Sequence, residues 1–374
     1  MAGPVLYHLG SFPPSNLDWS RLIPLIGPAA AAIARYDGAL SAVPNARVLL
    51  SPLTTQEAVL SSRIEGTQAT MGEVLEFEAG AGPAERGDDT KTAEIHEIIN
   101  YRKAIAGAAE QLAEVPLSQR LIRNAHRTLM SGVRGQNRDP GEYRRVPNWI
   151  GPLNCSLEGA RFVPIPVQHV NEGMSAWEKY LHSEQPDHLV QLAICHAEFE
   201  ALHPFLDGNG RLGRMLIPLY LYERKLLASP NFYISEYLEA RRDEYYERLL
   251  AVSRDGDWTG WCEFFLSALQ VQGVANTNKA QAILNLYRDK KAWITENIRS
   301  QYAIRALDFI FDRPVFRSSD FVTHAGIPEP TAKRLLRLMQ TSGLLTVLRE
   351  GAGRRPASLA FRELINLTEG RPVL

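Results

Sequence analysis

His203-Pro-Phe-Leu-Asp-Gly-Asn-Gly-Arg-Leu-Gly-Arg214 is the stretch that decides both the fold and the chemistry expected of this chain. Before it, apolar residues recur at helical spacing over 189–202, and Pro204 cannot continue that helix. After it, residues 211–227 again show a helical pattern. The sequence therefore predicts a glycine-rich turn between two helices. The start of the second helix is a ready phosphate site, because its first N–H groups lack partners.

The residue types in this turn are those that handle a nucleoside triphosphate. His203 can move a proton near neutral pH, and Asp207 is a hard oxygen ligand suited to magnesium. The glycines let backbone N–H groups approach an anion, and Arg211 and Arg214 match phosphate geometry. A plain Asp-Gly-Asn-Gly turn would explain the glycines, but neither the histidine before them nor the arginines after them.

The stretch resembles the signature of the Fic family, His-Pro-Phe-x-(Asp/Glu)-Gly-Asn-Gly-Arg-x-x-Arg, at every signature position. The resemblance implies a mainly α fold with a helical core and a small β-hairpin flap, and transfer of AMP from ATP to a protein hydroxyl. It implies that His203 is the general base and that Asp207 holds Mg²⁺. The residues that it assigns to the nucleotide are Phe205, Gly208, Asn209, Gly210, Arg211 and Arg214. Glycine at 210, where the Doc branch has lysine, favours nucleotide transfer over phosphate transfer.

A second resemblance lies upstream, in Ser61-Ser-Arg-Ile-Glu65-Gly66. Ser51 and Pro52 predict a helix start, the helix runs over about 52–65, and Gly66 is a plausible C′ residue. The segment is similar to the family's inhibitory motif. That similarity implies that Glu65 pairs with Arg214, takes the place of the γ-phosphate, and makes the chain self-inhibited. The alternative is an ordinary polar helix face.

A third feature is the proline-rich region between the second motif and the signature. Residues 140–151 contain a segment that resembles the family's Pro-Gly-x-x-Arg, and residues 160–166 resemble its flap. The resemblance implies that the flap holds a target peptide by strand addition, which makes little demand on target sequence. The flap residues expected to do so are Arg161, Phe162, Val163 and Pro164. A proline-rich surface loop is the alternative.

The C-terminal part is expected to be a separate module. Residues 319–327 predict a short helix and turn, residues 330–339 an amphipathic helix, and 343–350 and 356–361 two strands, an order that resembles a winged helix. From residue 330 onward, eight Lys or Arg and three Glu residues give about +5. DNA binding and protein docking both remain open for this module.

These patterns divide the chain into four consecutive segments. They are an N-terminal helical region with the inhibitory helix (1–115), the catalytic core (116–255), connecting helices (256–300) and the winged-helix-like domain (301–374). Helices are expected at 17–36, 52–65, 71–79, 92–114, 118–131, 167–183, 188–202, 211–227 and 234–254, with longer helices from about 257 to 299. Thr70 and Glu73 have the spacing of a capping box, and 79–89 is expected to be a loop.

Composition is that of an ordinary globular enzyme. The 374 residues carry a net charge of −1 and are 45% hydrophobic, which makes no overall case for nucleic acid. Cys155, Cys195 and Cys262 form no metal or disulfide pattern, which suits the cytoplasm, where we expect the protein. No signal-peptide pattern and no run of ~20 apolar residues is evident, so no membrane partner is expected.

Two groups of residues can be interpreted either as structural residues of the core or as functional residues. His196, Glu200 and His203 share one helix face and could be drawn as a metal site, but a hydrogen-bonded core histidine at 196 is favoured. The second group is expected to pack in the core, although any accessible hydroxyl in it is a candidate for self-modification. Its members are Tyr233, Tyr237, Tyr245 and Tyr246.

The favoured hypothesis is a protein adenylyltransferase, a nucleotidyltransferase acting on a Ser, Thr or Tyr hydroxyl and held in check by Glu65. Its expected partners are ATP, Mg²⁺ and a protein substrate that can be the chain itself. Homodimerisation and DNA binding by the C-terminal module are left open. One alternative is a de-AMPylating or other nucleotidyl-transferring Fic enzyme. The other is a nucleotide-sensing DNA-binding regulator.

Overall fold

The computed structural model describes residues 3–41, 45–80, 88–132, 139–152, 155–353 and 355–373, and it is mainly helical, as expected. The α-helices as far as residue 202 are α1 (Trp19–Ser41), α2 (Ala46–Leu49), α3 (Ser51–Ile64), α4 (Met71–Glu78), α5 (Asp89–Leu112), α6 (Gln119–Leu129), α7 (Val170–His182) and α8 (His188–Leu202). They are followed by α9 (Asn209–Glu223), α10 (Ser235–Ala240), α11 (Arg242–Asp255), α12 (Trp258–Asn297), α13 (Ala303–Asp312), α14 (Ser318–His324), α15 (Glu329–Thr341) and α16 (Arg362–Glu369). The strands are β1 (Val5–Leu6), β2 (Phe162–Val163), β3 (Val315–Arg317), β4 (Thr346–Arg349) and β5 (Ser358–Ala360).

Local signals in the sequence placed several helix ends correctly. The capping box of α4 is present, since Thr70 accepts from the Glu73 N–H and the Glu73 carboxylate accepts from the Thr70 N–H. The helix expected over about 52–65 is α3, and Gly66 beyond its end has φ +102°, a conformation that favours glycine. The middle of the expected loop over 79–89, at 81–87, lies outside the described residues.

In two regions the sequence predicted helices, but the number of separate helices was wrong. The helix expected over 234–254 is divided into α10 and α11, because Arg241 leaves helical geometry at φ −123° and ψ 37°. The region 257–299, expected to hold several helices, is mostly the single 40-residue helix α12. Five elements were not predicted, namely β1, α2, β3, α13 and α16. The first three have only two to four residues, which is too few to show a periodic pattern.

The chain forms two compact units that are not consecutive in sequence. The first comprises Met1–Asp37, Leu60–Gly66 and Asn100–Val274, and the second comprises Gly38–Val59, Thr67–Ile99 and Ala275–Leu374. The expected segments 1–115, 116–255, 256–300 and 301–374 were contiguous, so their boundaries differ from those of these units.

The core of the first unit is built around α8. Thirteen of its fifteen residues are buried, which is the pattern of a helix surrounded by other elements, and α7 and α9 pack on it. Asp187 caps its start by accepting from the N–H groups of Leu189 and Val190. Thirteen residues of α9 are also buried. The turn between α8 and α9 is therefore held at both ends by rigid, buried helices.

The second unit contains the C-terminal module. Strand β5 lies between β3 and β4 in an antiparallel sheet, with Val315 and Thr346 both paired to Ala360. The module runs α13, β3, α14, α15, β4, β5, so the two expected strands are joined by a third, β3. Its core contains aromatic rings in contact with one another, namely Phe309, Phe311, Phe316, Phe321 and Phe361.

Within the described residues, no helix is both long enough and apolar enough to span a bilayer.

Candidate active site

The glycine-rich turn connects α8 to α9 through two residues with left-handed backbone. His203 is the C-cap of α8 with φ 46° and ψ 59°, and Gly208 is the N-cap of α9 with φ 78° and ψ 4°. Glycine adopts this conformation at little cost, but a histidine does not. The conformation of His203 is therefore imposed by its surroundings.

The His203 imidazole faces a cavity with one nitrogen available. Its Nδ1 lies 3.4 Å from the Glu200 carbonyl oxygen, and because a carbonyl only accepts, Nδ1 carries the hydrogen. Nε2 is then the basic nitrogen. Burial lowers the pKa of His203 to about 4, so the ring is neutral at pH 7. A neutral imidazole can accept a proton, as a general base must.

The cavity beside His203 has a volume of about 430 Å³, within the range of small-molecule sites. Its lining includes apolar side chains, among them Ile150, Phe162, Leu249 and Leu250, which suit the flat face of a nucleobase. It also includes polar side chains, namely His203, Arg214 and Glu65. The cavity thus combines apolar surface with charged groups and an imidazole.

Glu65 contacts Arg214 as the sequence predicts. Its Oε1 lies 2.7 Å from Arg214 Nη2. The guanidinium also donates from Nε to the Ser61 hydroxyl and from Nη2 to the Ser61 carbonyl, both at 2.9 Å. Arg214 is 1% exposed, so its donors are committed to the end of α3. Desolvation opposes ionisation of Glu65, but the charge and hydrogen bond of Arg214 outweigh it and lower the pKa of this carboxyl.

The Glu65 carboxylate lies against the first turn of α9. A Cβ atom at Gly210 would lie 2.2 Å from Glu65 Oε1 and 3.1 Å from Arg214 Nη1. Glycine at 210 is therefore needed for the carboxylate to approach the helix N-terminus, which is where an anion is stabilised. The Glu65 carboxylate therefore lies at the N-terminus of α9, beside Arg214.

Asp207 is placed at the mouth of the same turn. Its Oδ1 accepts from the Gly208 N–H at 2.6 Å and lies 3.4 Å from Arg211 Nη2, and 38% of its side chain is exposed. Mg²⁺ in nucleotide sites is commonly bound by one or two carboxylates together with substrate phosphates. The partly exposed Asp207 carboxylate beside the N-terminus of α9 fits that pattern.

Two residues that the resemblance assigns to the nucleotide have side chains that hold the turn itself. Asn209 accepts from the Phe205 N–H at 2.9 Å and donates to the Phe205 carbonyl at 2.8 Å, so its side-chain amide bonds the backbone of the turn. The Phe205 ring is fully buried and stacks on His126 with centroids 3.9 Å apart. Their side chains shape the turn, whereas Gly208, Gly210, Arg211 and Arg214 surround the helix start.

His126 was missed by sequence reasoning. The Gly141 N–H donates to its Nδ1 at 2.7 Å, so its Nε2 carries the hydrogen and donates to the Asp207 carbonyl at 3.0 Å. Burial lowers the pKa of His126 to about 4, which keeps this single tautomer at pH 7. The ring therefore fixes the backbone of the expected metal ligand. Nothing in the local sequence around His126 indicates this role.

Glu200 is a second residue whose role is visible only in the structure. It lines the cavity, and a Cβ atom at Gly213 would lie 2.2 Å from its Oε1, so the glycine makes room for it. Burial raises the pKa of Glu200 to about 8. The carboxyl group is mostly neutral at pH 7 and does not repel a triphosphate.

Among the described residues, the flap hairpin is smaller than the sequence predicts. The expected hairpin consists of one antiparallel bridge, between Ile150 and Phe162. The other edge of β2 pairs in parallel with β1, since Val5 donates to the Arg161 carbonyl and Tyr7 to the Val163 carbonyl. Both edges of β2 are thus occupied by the chain itself. Addition of a target strand to β2 would therefore require that one of these two partners be displaced.

The flap side chains differ in their position relative to the cavity. Arg161 and Phe162 line it, Val163 is half-buried and Pro164 is buried. The N-terminal segment is anchored beneath them, because the Tyr7 hydroxyl and His8 Nε2 contact the two carboxylate oxygens of buried Glu198 at 2.6 and 2.8 Å.

The histidine and tyrosine groups that the sequence left open consist mainly of buried core residues. His196 donates from Nδ1 to the Gly213 carbonyl at 3.0 Å and accepts from the Tyr245 hydroxyl at 2.9 Å, so both ring nitrogens are used and no metal role is left. Tyr233, Tyr237 and Tyr245 are buried. Tyr246 lines the cavity and donates to the Ile64 carbonyl at the end of α3.

Comparison with known proteins identifies relatives of this architecture. Residues 23–110 match the model of the Fic/DOC family N-terminal region, and residues 116–221 match that of the Fic/DOC family. A probable protein adenylyltransferase of Aquifex aeolicus (strain VF5) is 25% identical over 212 residues, which are 55% of this chain and 59% of that protein. Protein adenylyltransferase Fic of Drosophila grimshawi is 29% identical over 41% of this chain and 29% of its own length.

Solved structures show the same fold. A Fic family protein from Desulfovibrio desulfuricans G20 aligns with a TM-score of 0.56 at 22% identity, over 93% of this chain and 98% of that one. Residues 134–508 of Fic-1 from C. elegans align with a TM-score of 0.51 at 17% identity, over 71% of this chain and 76% of that one.

Proposed function

Since the chain belongs to the Fic/DOC family, we propose that it is a protein adenylyltransferase, which transfers AMP from ATP to a Ser, Thr or Tyr hydroxyl of a protein. The observation that carries this proposal is the cavity of about 430 Å³ that joins the neutral His203 imidazole to the start of α9 and Arg214. The relatives named as adenylyltransferases support it, although this chain spans only 59% of the first of them.

In the proposed reaction, His203 Nε2 accepts the proton of the target hydroxyl while its oxygen attacks the α-phosphorus of ATP. The new bond joins that oxygen to the AMP phosphorus, the α–β phosphoanhydride bond breaks, and pyrophosphate leaves. The N–H groups at the start of α9 and the Arg214 guanidinium stabilise the negative charge of the phosphates. Catalysis of this kind is mainly positioning and charge neutralisation.

Asp207 would hold the Mg²⁺ ion that accompanies ATP. Bound magnesium neutralises charge on the phosphate oxygens. The chain's own contribution is to present the carboxylate from a turn whose backbone is fixed by His126.

We expect Asp207→Asn, which keeps the shape but removes the charge, to lower AMP transfer about tenfold or more at limiting Mg²⁺, because one unit of favourable charge is lost. A magnesium titration of the rate measures this loss. Asp255→Asn, at an exposed position at the end of α11, is the matched control. Equal rates for Asp207→Asn and the parent at every magnesium concentration would contradict the assignment.

The contact between Glu65 and Arg214 supports a self-inhibited state. A triphosphate needs the guanidinium and the helix start that the carboxylate now occupies. Productive ATP binding then requires the end of α3 to withdraw.

Labelled ATP tests the proposed chemistry directly. Glu65→Gly protein is incubated with Mg²⁺ and ATP labelled at either the α- or the γ-phosphate, alone and with lysate proteins. Label from the α-phosphate that remains on protein, with mass spectrometry showing one adenylyl group, supports the proposal. Label from the γ-phosphate would indicate phosphate transfer and would overturn it. Removal of AMP from premodified protein would instead favour the de-AMPylating alternative.

We also infer that residues 303–369 form a winged helix that binds duplex DNA through α15. The order of elements fits, and Lys333, Arg334 and Arg337 are exposed on α15. Glu329 pairs with Lys333 at 2.6 Å, which leaves the two arginines as the main cationic contribution. Arg355 adds to it between β4 and β5, whereas Arg354 lies outside the described residues.

Charge reversal at Arg334 and Arg337 together should weaken duplex binding about tenfold or more and reduce its salt dependence, because each phosphate contact contributes to both. Fluorescence anisotropy with a labelled duplex measures this. Arg362→Glu is the control, because Arg362 is exposed at the start of α16. If the parent protein does not bind duplex even at low salt, or if the control variant weakens binding equally, this inference is wrong.

A further inference from the structure

The last turn of α8 has carbonyl groups that the helix cannot satisfy, as at any helix C-terminus. An additional constraint applies here because His203 leaves the helix in the left-handed conformation, which is unfavourable for a residue other than glycine. Pro204 follows and offers no N–H group. Some other group must hold these carbonyls and the turn that they introduce.

Arg144 binds three consecutive carbonyls at this point. Its backbone N–H donates to Pro204 and its Nε to His203, both at 2.9 Å, and its Nη2 lies 3.4 Å from the Leu202 carbonyl. Nη2 also donates to the Ile165 carbonyl, on the segment that follows the flap strand. A cation at a helix C-terminus is also favoured by the helix dipole.

Among the described residues, no carboxylate oxygen lies within 4 Å of the Arg144 guanidinium nitrogens. The side chain is nevertheless 3% exposed, and burial lowers the pKa of Arg144 to about 10, so it remains charged at pH 7. Arginines buried in this way are normally paired. This one is satisfied by carbonyl groups alone, and the planar fork of the guanidinium allows it to hold several of them at once.

These contacts act on the imidazole through the backbone of His203. The ring is oriented by the backbone conformation and by the bond from Nδ1 to the Glu200 carbonyl, one turn earlier. Releasing the His203 carbonyl would let the residue relax from its left-handed conformation and carry Nε2 away from the cavity. We propose that Arg144 is a positioning residue that clamps the end of α8 and thereby aims His203 Nε2 at the reacting hydroxyl. The kinetic part of its test rests on the proposed adenylyl transfer.

The kinetic test compares Arg144→Lys and Arg144→Met in a Glu65→Gly background. We expect kcat for AMP transfer to fall about 10²-fold in Arg144→Met, because a displacement of the base by about 1 Å is enough for such a loss. Arg144→Lys should fall less, since lysine retains the charge but can hold fewer carbonyls. The KM for ATP should stay near that of the parent, because Arg144 does not line the cavity.

Arg123→Lys is the matched control. Arg123 donates to the Gly141 carbonyl and pairs with Glu142, so it contacts the same segment as Arg144 but none of the carbonyls of 202–204. Its kcat should remain close to that of the parent. An equal loss in Arg123→Lys, or an unchanged kcat in folded Arg144→Met, would overturn the proposal.

A second measurement needs no activity. In protein with ¹⁵N-labelled histidine, the parent should show His203 and His126 each as a single neutral tautomer. In Arg144→Lys, which is the variant more able to fold, the His203 signals should shift and the His126 signals should not. Unchanged His203 signals would refute the positioning role. If the parent transfers no AMP, this result still decides the role of Arg144.

Discussion

Replacement of His203 by alanine in a Glu65→Gly background should lower the rate of AMP transfer by about 10²- to 10⁴-fold, the usual contribution of a general base. The reason is geometric as well as chemical. His203 is held at the cavity wall by its left-handed backbone, and its Nδ1 is committed to the Glu200 carbonyl. Alanine leaves the cavity and Arg214 in place, so ATP should still bind.

Single-turnover kinetics with α-labelled ATP measure this loss, and calorimetry checks that ATP affinity is retained. His188→Ala is the matched control, because His188 lies exposed at the first turn of the same helix. If His203→Ala keeps a rate within about tenfold of its parent, well short of the usual contribution, His203 is not the base.

The pH dependence of the same rate gives an independent check. Burial lowers the pKa of His203 to about 4, and a base is active only when unprotonated. The rate should therefore be insensitive to this group at neutral pH and fall only as pH drops toward 4. The negative charge of Glu65 acts to raise this pKa, so its removal should move the acid limb lower still. An acid limb that moves upward in Glu65→Gly would contradict the assignment.

The parts of the site that could be predicted are those encoded by adjacent residues. The helix–turn–helix around 203–214 follows from apolar periodicity, Pro204 and the glycines, and the Glu65–Arg214 contact followed from the resemblance of the segment at 61–66. Such signals act over a few residues, so a single sequence is enough to display them.

The parts that could not be predicted depend on residues brought together by tertiary packing. His126 and Arg144 lie far from the signature in sequence, and both hold backbone carbonyls, which any residue supplies. Arg144 ends the segment that resembles the family's Pro-Gly-x-x-Arg, but that resemblance does not indicate which groups its guanidinium contacts. The pairing of β1 with β2 joins segments more than 150 residues apart through only a few backbone hydrogen bonds. The resemblance assigns Asn209 to the nucleotide, but it does not indicate the two hydrogen bonds between its side-chain amide and the Phe205 backbone.

Glu65→Gly should strengthen ATP binding and raise AMP transfer about 10²-fold. Two interactions compete with the triphosphate in the parent protein. A hydrogen bond to a charged group contributes about 1.5–3 kcal/mol, and a carboxylate at a helix N-terminus contributes about 0.3–1 kcal/mol. Their sum corresponds to roughly 10²-fold in an equilibrium constant. Solvent screening moderates the gain, since 37% of the Glu65 side chain is exposed.

Calorimetry with ATP and labelling with α-labelled ATP measure the two effects separately. Glu114→Gly is the matched control, because Glu114 is also an exposed glutamate just beyond the end of a helix but lies far along the chain from α3. Glu65→Gln should give a smaller gain, since its amide oxygen can still accept from Arg214 without carrying charge. A tighter ATP complex without faster transfer would mean that Glu65 only blocks binding. No change in either quantity would show that the carboxylate does not compete with the triphosphate, and self-inhibition through Arg214 would have to be abandoned.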